Sequence, residues 1–204
     1  MIPDPLREVD LEALAFDIDG VVADTMDIFV RLAHERYGLT QILKEHISSY
    51  DLRKCLDIKK EVLEDLICLT LDDEHTLQVP PMPGAPEVLS ELAGTTALRF
   101  VTARIWPESI TAWLYQTLPN VPPNRITVIA SGAPELKRGI LKEMGIRYFV
   151  EDRIETCRLL KEAGIQPFLF TQPWNKYEPD DGFIRIDNWA MLKEWVLPPP
   201  IGLR

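Results

Sequence analysis

Residues 14–25 read LAFDIDGVVADT, and this stretch decides how the rest of the chain is read. Leu14, Ala15, Phe16 and Ile18 form a short apolar run suited to a parallel strand buried on both faces. The run ends in Asp17, Asp19 and Gly20, where a strand gives way to a loop. Side chains alternate along a strand, so Asp17 and Asp19 project to one side, and Gly20 lets the backbone turn sharply beside them. Two carboxylates held this close do not both stay ionised comfortably without a shared cation or proton.

Working outward, the periodicity changes after Asp24. Ile28, Phe29, Leu32 and Ala33 recur at helical spacing before Gly38, and Val62, Leu63, Leu66 and Ile67 repeat the signature. Residues 26–79 contain helices and loops but no convincing strand, and Pro80, Pro81, Pro83 and Gly84 mark the return. From there strands and helices alternate. Strands are expected over 97–102, 126–130, 148–150 and 168–170, with a last edge strand over 183–186. Helices are expected over 86–93, 107–118, 134–144, 154–163 and 189–196. Such alternation implies a mostly parallel α/β sheet flanked by helices. The expected organisation is an α/β core over 11–25 and 80–197, a small helical cap over 26–79 inserted after the first strand, and terminal tails over 1–10 and 198–204.

The chain has 204 residues, 46% of them hydrophobic, which is enough for one domain and a modest insertion. A formal net charge of -10 opposes binding to a nucleic acid polymer, whose affinity comes mainly from Lys and Arg on phosphates. A small anion can still bind where local donors and a metal overcome that field. Cys55, Cys68 and Cys157 are far apart and odd in number, so neither a disulfide framework nor a zinc ribbon is expected. His34, His46 and His75 lack ligand spacing, and no P-loop or Gly-x-Ser-x-Gly elbow is present. The N-terminal MIPDPLREVD lacks a basic-then-apolar pattern, and no apolar run nears the roughly 20 residues a bilayer requires. A soluble, cytoplasmic protein with no membrane partner is the expectation.

Further chemistry-bearing residues fall at strand and helix ends. Thr102 ends the run ALRFVT, at the sheet edge where open α/β folds place ligands. Lys137 lies in the first turn of a helix, where the macrodipole disfavours a cation by roughly 0.3–1 kcal/mol, so an acid or an anion is expected opposite it. Glu151 and Asp152 close the run YFVEDR at another strand end. Arg104 is near enough to contact substrate, but an exposed, solvated Arg is the commoner outcome. Trp106, Trp113 and Trp174 are read as core or rim aromatics without assigned roles.

In this order the motifs resemble those of the haloacid dehalogenase-like (HAD) superfamily. The match is an apolar strand with Asp-x-Asp-Gly, a strand-ending Thr, a helical Lys and an acidic strand end. The resemblance implies a Rossmann-like core in which Asp17 is the phosphoryl-accepting nucleophile and Asp19 the general acid and base. Thr102 and Lys137 would be both catalytic and phosphate-binding. It implies Mg²⁺ held by Asp17, Asp19 through its backbone carbonyl, and Asp152. Glu151 stands where relatives often carry Asp, leaving open which acid touches the metal; the expectation is Asp152 directly and Glu151 in the second shell or through water. The insertion, FVEDR and FLFTQPWN are similar to the 5′(3′)-deoxyribonucleotidase-like branch, although Thr-Ala-Arg replaces that branch's Thr-Ser-Pro. The expected activity is hydrolysis of a small phosphorylated substrate, a nucleotide in the first instance. Alternatives are a sugar-phosphate phosphatase or phosphomutase, or a non-catalytic phosphate-binding module. An acid at position 19 argues against a dehalogenase. Oligomeric state is left open.

Overall fold

A computed structural model describes residues 9–179 and 181–197. Six strands form one wholly parallel sheet: β1 (Leu14–Phe16), β2 (Leu98–Thr102), β3 (Ile126–Ala130), β4 (Tyr148–Glu151), β5 (Gln166–Phe170) and β6 (Ile184–Ile186), in the order β3-β2-β1-β4-β5-β6. The apolar run of residues 14–18 supplies a strand of only three residues, because the chain leaves the ladder where the acids begin. One parallel hydrogen bond, from the Asp17 N–H to the Val150 carbonyl at 2.8 Å, carries the pairing just past the strand end.

Register explains how distant acids converge. Val128, Phe100, Phe16, Val150, Phe168 and Ile184 form one row across the sheet. Thr102 and Asp152 lie two residues beyond that row on their own chains, beside the Asp17–Asp19 turn. Strand order reverses between β1 and β4, which opens the crevice at the carboxyl ends where doubly wound sheets bind ligands.

Both faces of the sheet are covered, as continuous apolar strands require. On one face Phe16 packs on Phe100 and on Trp189, each with ring centroids 5.8 Å apart. That face is closed in part by α4 (Ala85–Ala93) and α8 (Trp189–Val196). The opposite face buries Ala15, Val101, Phe149, Leu141 and Leu160, the last two from α6 (Lys137–Glu143) and α7 (Ile154–Glu162). The intervening α5 (Glu108–Thr117) buries Trp113, whose indole N–H donates to the Val79 carbonyl at 2.8 Å and pins the end of the inserted segment.

The insertion is helical, as its periodicity predicts: α1 (Thr25–Tyr37), α2 (Lys60–Thr70) and the short α3 (Asp73–Thr76). Asp24 caps α1 by accepting from the Asp27 N–H, and Gly38 ends it at a φ of +64°, a conformation Gly adopts without a Cβ penalty. Its entry and exit lie side by side, with an antiparallel bridge between Ala23 and Pro81.

Three details differ from the sequence expectation. The helix expected over 134–144 is a 3₁₀ turn, Pro134–Leu136, running into α6, so Lys137 opens the α-helix. The Lys137 N–H bonds to the Pro134 carbonyl, which fixes the tighter turn. β5 begins at Gln166, earlier than expected, with Pro167 inside the strand. Arg104 is buried rather than exposed. Residues 1–8 of the expected N-terminal tail and 198–204 of the C-terminal one lie outside the described residues. No described helix is long and apolar enough to cross a membrane.

Candidate active site

The carboxyl ends of β1, β2 and β4 and the first residue of α6 bring six residues together: Lys137 between Asp17 and Glu151, Thr102 against Asp19, and Asp152 beside Asp17 and Glu151. Lys137 is the pivot. Its Nζ lies 2.6 Å from Asp17 Oδ2 and 2.9 Å from Glu151 Oε2, with side-chain exposures of 2%, 8% and 1% respectively. The cation that the helix terminus disfavours is thus held by two carboxylates, which oppose the dipole at that position. Burial alone would lower the Lys137 pKa, but the charges of Asp17 and Glu151 reverse the effect and raise it, so the ammonium is permanent.

Asp19 has a different environment from Asp17. Its Oδ1 accepts from the Thr25 hydroxyl at 2.6 Å and from Arg104 Nη2 at 2.8 Å, while Oδ2 accepts from Arg104 Nε at 3.0 Å and Thr102 Oγ1 at 3.3 Å. Burial pushes its pKa up, but the Arg104 charge and the hydrogen bonds from Arg104 and Thr25 outweigh this and hold it below the usual carboxylate range. Asp17 moves the other way. Burial drives it well above that range, only partly countered by Lys137. Two acids two residues apart therefore sit in opposite electrostatic settings: Asp19 faces a guanidinium, and Asp17 is crowded by Glu151 and Asp19, a crowding that a bound cation would relieve.

Asp17, Glu151 and Asp152 present carboxylate oxygens within 4.8 Å of one another, all buried. Both Glu151 oxygens are already engaged, Oε2 by Lys137 and Oε1 by the Arg153 N–H at 3.1 Å. Asp152 Oδ2 accepts from the Trp174 indole N–H at 2.9 Å. Burial, then the neighbouring Glu151 charge, raises the Asp152 pKa well above the ordinary value. With all four site acids ionised, Lys137 and Arg104 would leave two negative charges uncancelled. That excess matches a divalent cation, and hard carboxylate oxygens are the ligands Mg²⁺ takes. The donor set fits the ion.

The turn after β1 is held from the far side of the site. Gln172 Nε2 donates to the Gly20 carbonyl at 2.6 Å, and Asn175 Nδ2 donates to the Asp152 carbonyl at 2.7 Å. Gly20 has a φ of +77°, and a Cβ there would lie 2.3 Å from Asp152 Oδ2. These supporting residues, Gln172, Trp174 and Asn175, belong to the FLFTQPWN run, whose composition marked the segment without disclosing its role. Of the other tryptophans, Trp113 is core and Trp106 is 74% exposed.

Above the acids lies a cavity of about 490 Å³ bounded by the inserted helices. Asp17, Asp19, Arg104, Asp152 and Trp174 contribute to its lining; Met26, Phe29, Leu63, Ile67 and Leu71 make its apolar wall, with Tyr50, Arg53 and Lys60 also on it. Thr102 is fully buried, and its hydroxyl both donates to Asp19 and accepts from the Arg104 N–H at 3.2 Å.

Residues 11–198 match the family described as 5′ nucleotidase, deoxy (pyrimidine), cytosolic type C protein. YqfW of Bacillus subtilis, provisionally named a nucleotidase, is 26% identical over 186 residues, covering 90% of this chain and 92% of its own. A nucleotidase of Clostridium acetobutylicum is 22% identical over 179 residues, covering 86% and 88%. In fold the chain is similar to CbbY from Rhodobacter sphaeroides, solved with phosphate, at a TM-score of 0.56 and 17% identity, covering 89% of this chain and 96% of that one. A HAD-superfamily hydrolase from Geobacter sulfurreducens gives a TM-score of 0.56 at 20% identity, covering 90% and 95%.

Proposed function

Because the chain belongs to the deoxy (pyrimidine) 5′-nucleotidase family of HAD-type phosphohydrolases, we propose that it hydrolyses a small nucleoside monophosphate through an aspartyl-phosphate on Asp17, with Mg²⁺ as its cofactor. The observation that carries this reading is the buried Asp17–Lys137–Glu151 array at 2.6 and 2.9 Å, which leaves Asp17 lining the cavity. Three motifs far apart in sequence meet there in a way that ordinary surface ion pairing does not explain.

In the proposed mechanism an Asp17 oxygen attacks phosphorus in line, a new P–O bond forms, and the ester P–O bond breaks. Asp19 gives a proton to the departing oxygen. Water then attacks the same phosphorus, Asp19 takes its proton, and the Asp17–phosphorus bond breaks to release phosphate. Lys137 balances the charge of Asp17 and of the arriving phosphoryl oxygens. The Thr102 hydroxyl, offered to Asp19 in this structure, would turn to a phosphoryl oxygen when one is present. Asp17, Asp152 and the Asp19 carbonyl would hold the ion, with Glu151 keeping Lys137 in place; bound there, Mg²⁺ would supply charge neutralisation and orientation of the phosphoryl group. The inserted segment 26–79 serves as a cap over the leaving group.

The cavity favours a nucleotide over a sugar phosphate. Its volume of about 490 Å³ lies in the range of small-molecule sites, roughly 300–1,000 Å³. Its wall is chiefly aliphatic and aromatic, suited to the faces of a base rather than to a ring of hydroxyls. The direct test is Mg²⁺-dependent phosphate release from a panel of deoxynucleoside monophosphates and sugar phosphates, with Asp17→Asn as control. Turnover of a deoxynucleotide that the variant abolishes is expected. Preference for sugar phosphates would overturn the substrate class, and activity untouched by Asp17→Asn would overturn the mechanism.

A further inference from the structure

The Asp19 carboxylate is gripped by groups that lead away from the catalytic strands and into the inserted helices. Thr25, whose hydroxyl binds Asp19 at 2.6 Å, is the first residue of α1. Arg104 forks Nε and Nη2 onto the two Asp19 oxygens at 3.0 and 2.8 Å and turns its remaining amino group, Nη1, to the hydroxyl of Thr76 at 2.6 Å. Thr76 is fully buried and is the last residue of α3, where the insertion begins its return to the core. The entry and exit of the insertion are laced together beside this point, Asp24 N–H to the Pro80 carbonyl at 2.8 Å and Met82 N–H to the Val22 carbonyl at 2.7 Å. A guanidinium is a planar, rigid fork, so its contact with Thr76 and its grip on Asp19 cannot be oriented independently. The Arg104 side chain is only 5% exposed. A buried cation that spans two parts of the fold in this way is not a solvated surface residue.

We propose that Arg104 is a positioning residue, which aims the Asp19 carboxyl and couples that aim, through Thr76, to the seating of the inserted helices. The inference rests on the phosphatase reading above. Its consequence is that the proton given to the departing oxygen is delivered from a carboxyl whose place depends on the cap. Displacing a reacting group by about 1 Å can cost on the order of 10²-fold in rate, and positioned proton transfer contributes roughly 10²–10⁴-fold.

The test compares Arg104→Gln and Thr76→Val with the wild type in the first turnover, where leaving-group release is read before water attacks the phosphoenzyme. Two substrates are used: an alkyl phosphomonoester that the wild type hydrolyses, and p-nitrophenyl phosphate, whose leaving group departs without a proton. Arg104→Gln is expected to slow alkyl-ester release at least about 10-fold, in line with lost general-acid alignment, and to change nitrophenol release and both KM values little. Thr76→Val, which keeps shape and removes only the hydroxyl, is expected to slow the alkyl ester selectively but less. Equal losses on both substrates, or a raised KM with an unchanged first-turnover rate, would overturn the positioning role. Wild-type behaviour of Thr76→Val would overturn the link to the cap. Thermal unfolding verifies that each variant is folded, and if Arg104→Gln is not, Thr76→Val carries the comparison. Because any hydrolysed alkyl ester serves, failure on deoxynucleotides removes the substrate class and leaves this test standing.

Discussion

Replacing Lys137 with Met removes one ammonium and leaves two buried carboxylates facing each other. In the wild type Lys137 touches Asp17 at 2.6 Å and Glu151 at 2.9 Å, with all three side chains at most 8% exposed. Breaking a buried pair by deleting one partner costs roughly 3–5 kcal/mol, because the remaining charge is stranded. For a chain of this length about 1 kcal/mol corresponds to roughly 2–4 °C in Tm, so a loss of about 6–20 °C is expected at pH 8 in EDTA. The pH dependence has a definite sign. Burial already raises the Asp17 pKa, and Lys137 is the group that lowers it; without Lys137 the folded-state pKa rises further above the unfolded value. A group raised in this way contributes its stability below the unfolded pKa and loses it as pH climbs through the folded pKa. The deficit of Lys137→Met relative to wild type should therefore be small near pH 5 and largest near pH 8. Circular dichroism melts at both pH values, in EDTA, measure it directly. A deficit under 2 °C at pH 8, or one that does not change with pH, would refute the charge argument.

Gly20→Ala should destabilise the fold and suppress turnover, since it combines a φ of +77° with a Cβ 2.3 Å from Asp152 Oδ2; the left-handed backbone alone costs about 1–2 kcal/mol, read as a lowered Tm and kcat. Trp174→Phe keeps an aromatic ring, though a smaller one, and removes the N–H that Asp152 accepts at 2.9 Å; loss of such an outer partner typically weakens metal affinity about 10–100-fold, which Mg²⁺ titration of activity and calorimetry would detect. Chelation with EDTA should abolish phosphate release and Mg²⁺ should restore it, whereas full activity in EDTA would exclude the ion from the reaction.

The parts of this molecule that were legible in its sequence are those whose physics is local. A continuous apolar run ending in Asp17 announces a buried strand and the place where it gives way to a turn. Asp24 and Gly38 announce the limits of α1, because caps act within one turn of the residues they serve. Register did the rest, carrying Thr102 and Asp152 to the turn after β1. What sequence reasoning missed is nonlocal. Sequence alone favours a solvated Arg104; its partners are Asp19, 85 residues away, and Thr76, 28 residues away. Neither separation leaves a periodic signal. The role of Trp174 is hidden for the same reason, since its partner Asp152 sits at a different strand end. The break of the expected 134–144 helix at Lys137 follows from the choice between i→i+3 and i→i+4 bonding at Pro134, which apolar periodicity does not resolve.

Asp17 as phosphoryl acceptor is tested by acid-quenched labelling during turnover with a phosphate-labelled substrate, followed by mapping of the label. A base-labile phosphoryl group on the peptide containing Asp17, absent in Asp17→Asn and formed as fast as product appears, is the predicted result. Phosphate release with no label at Asp17, or undiminished in Asp17→Asn, would contradict it.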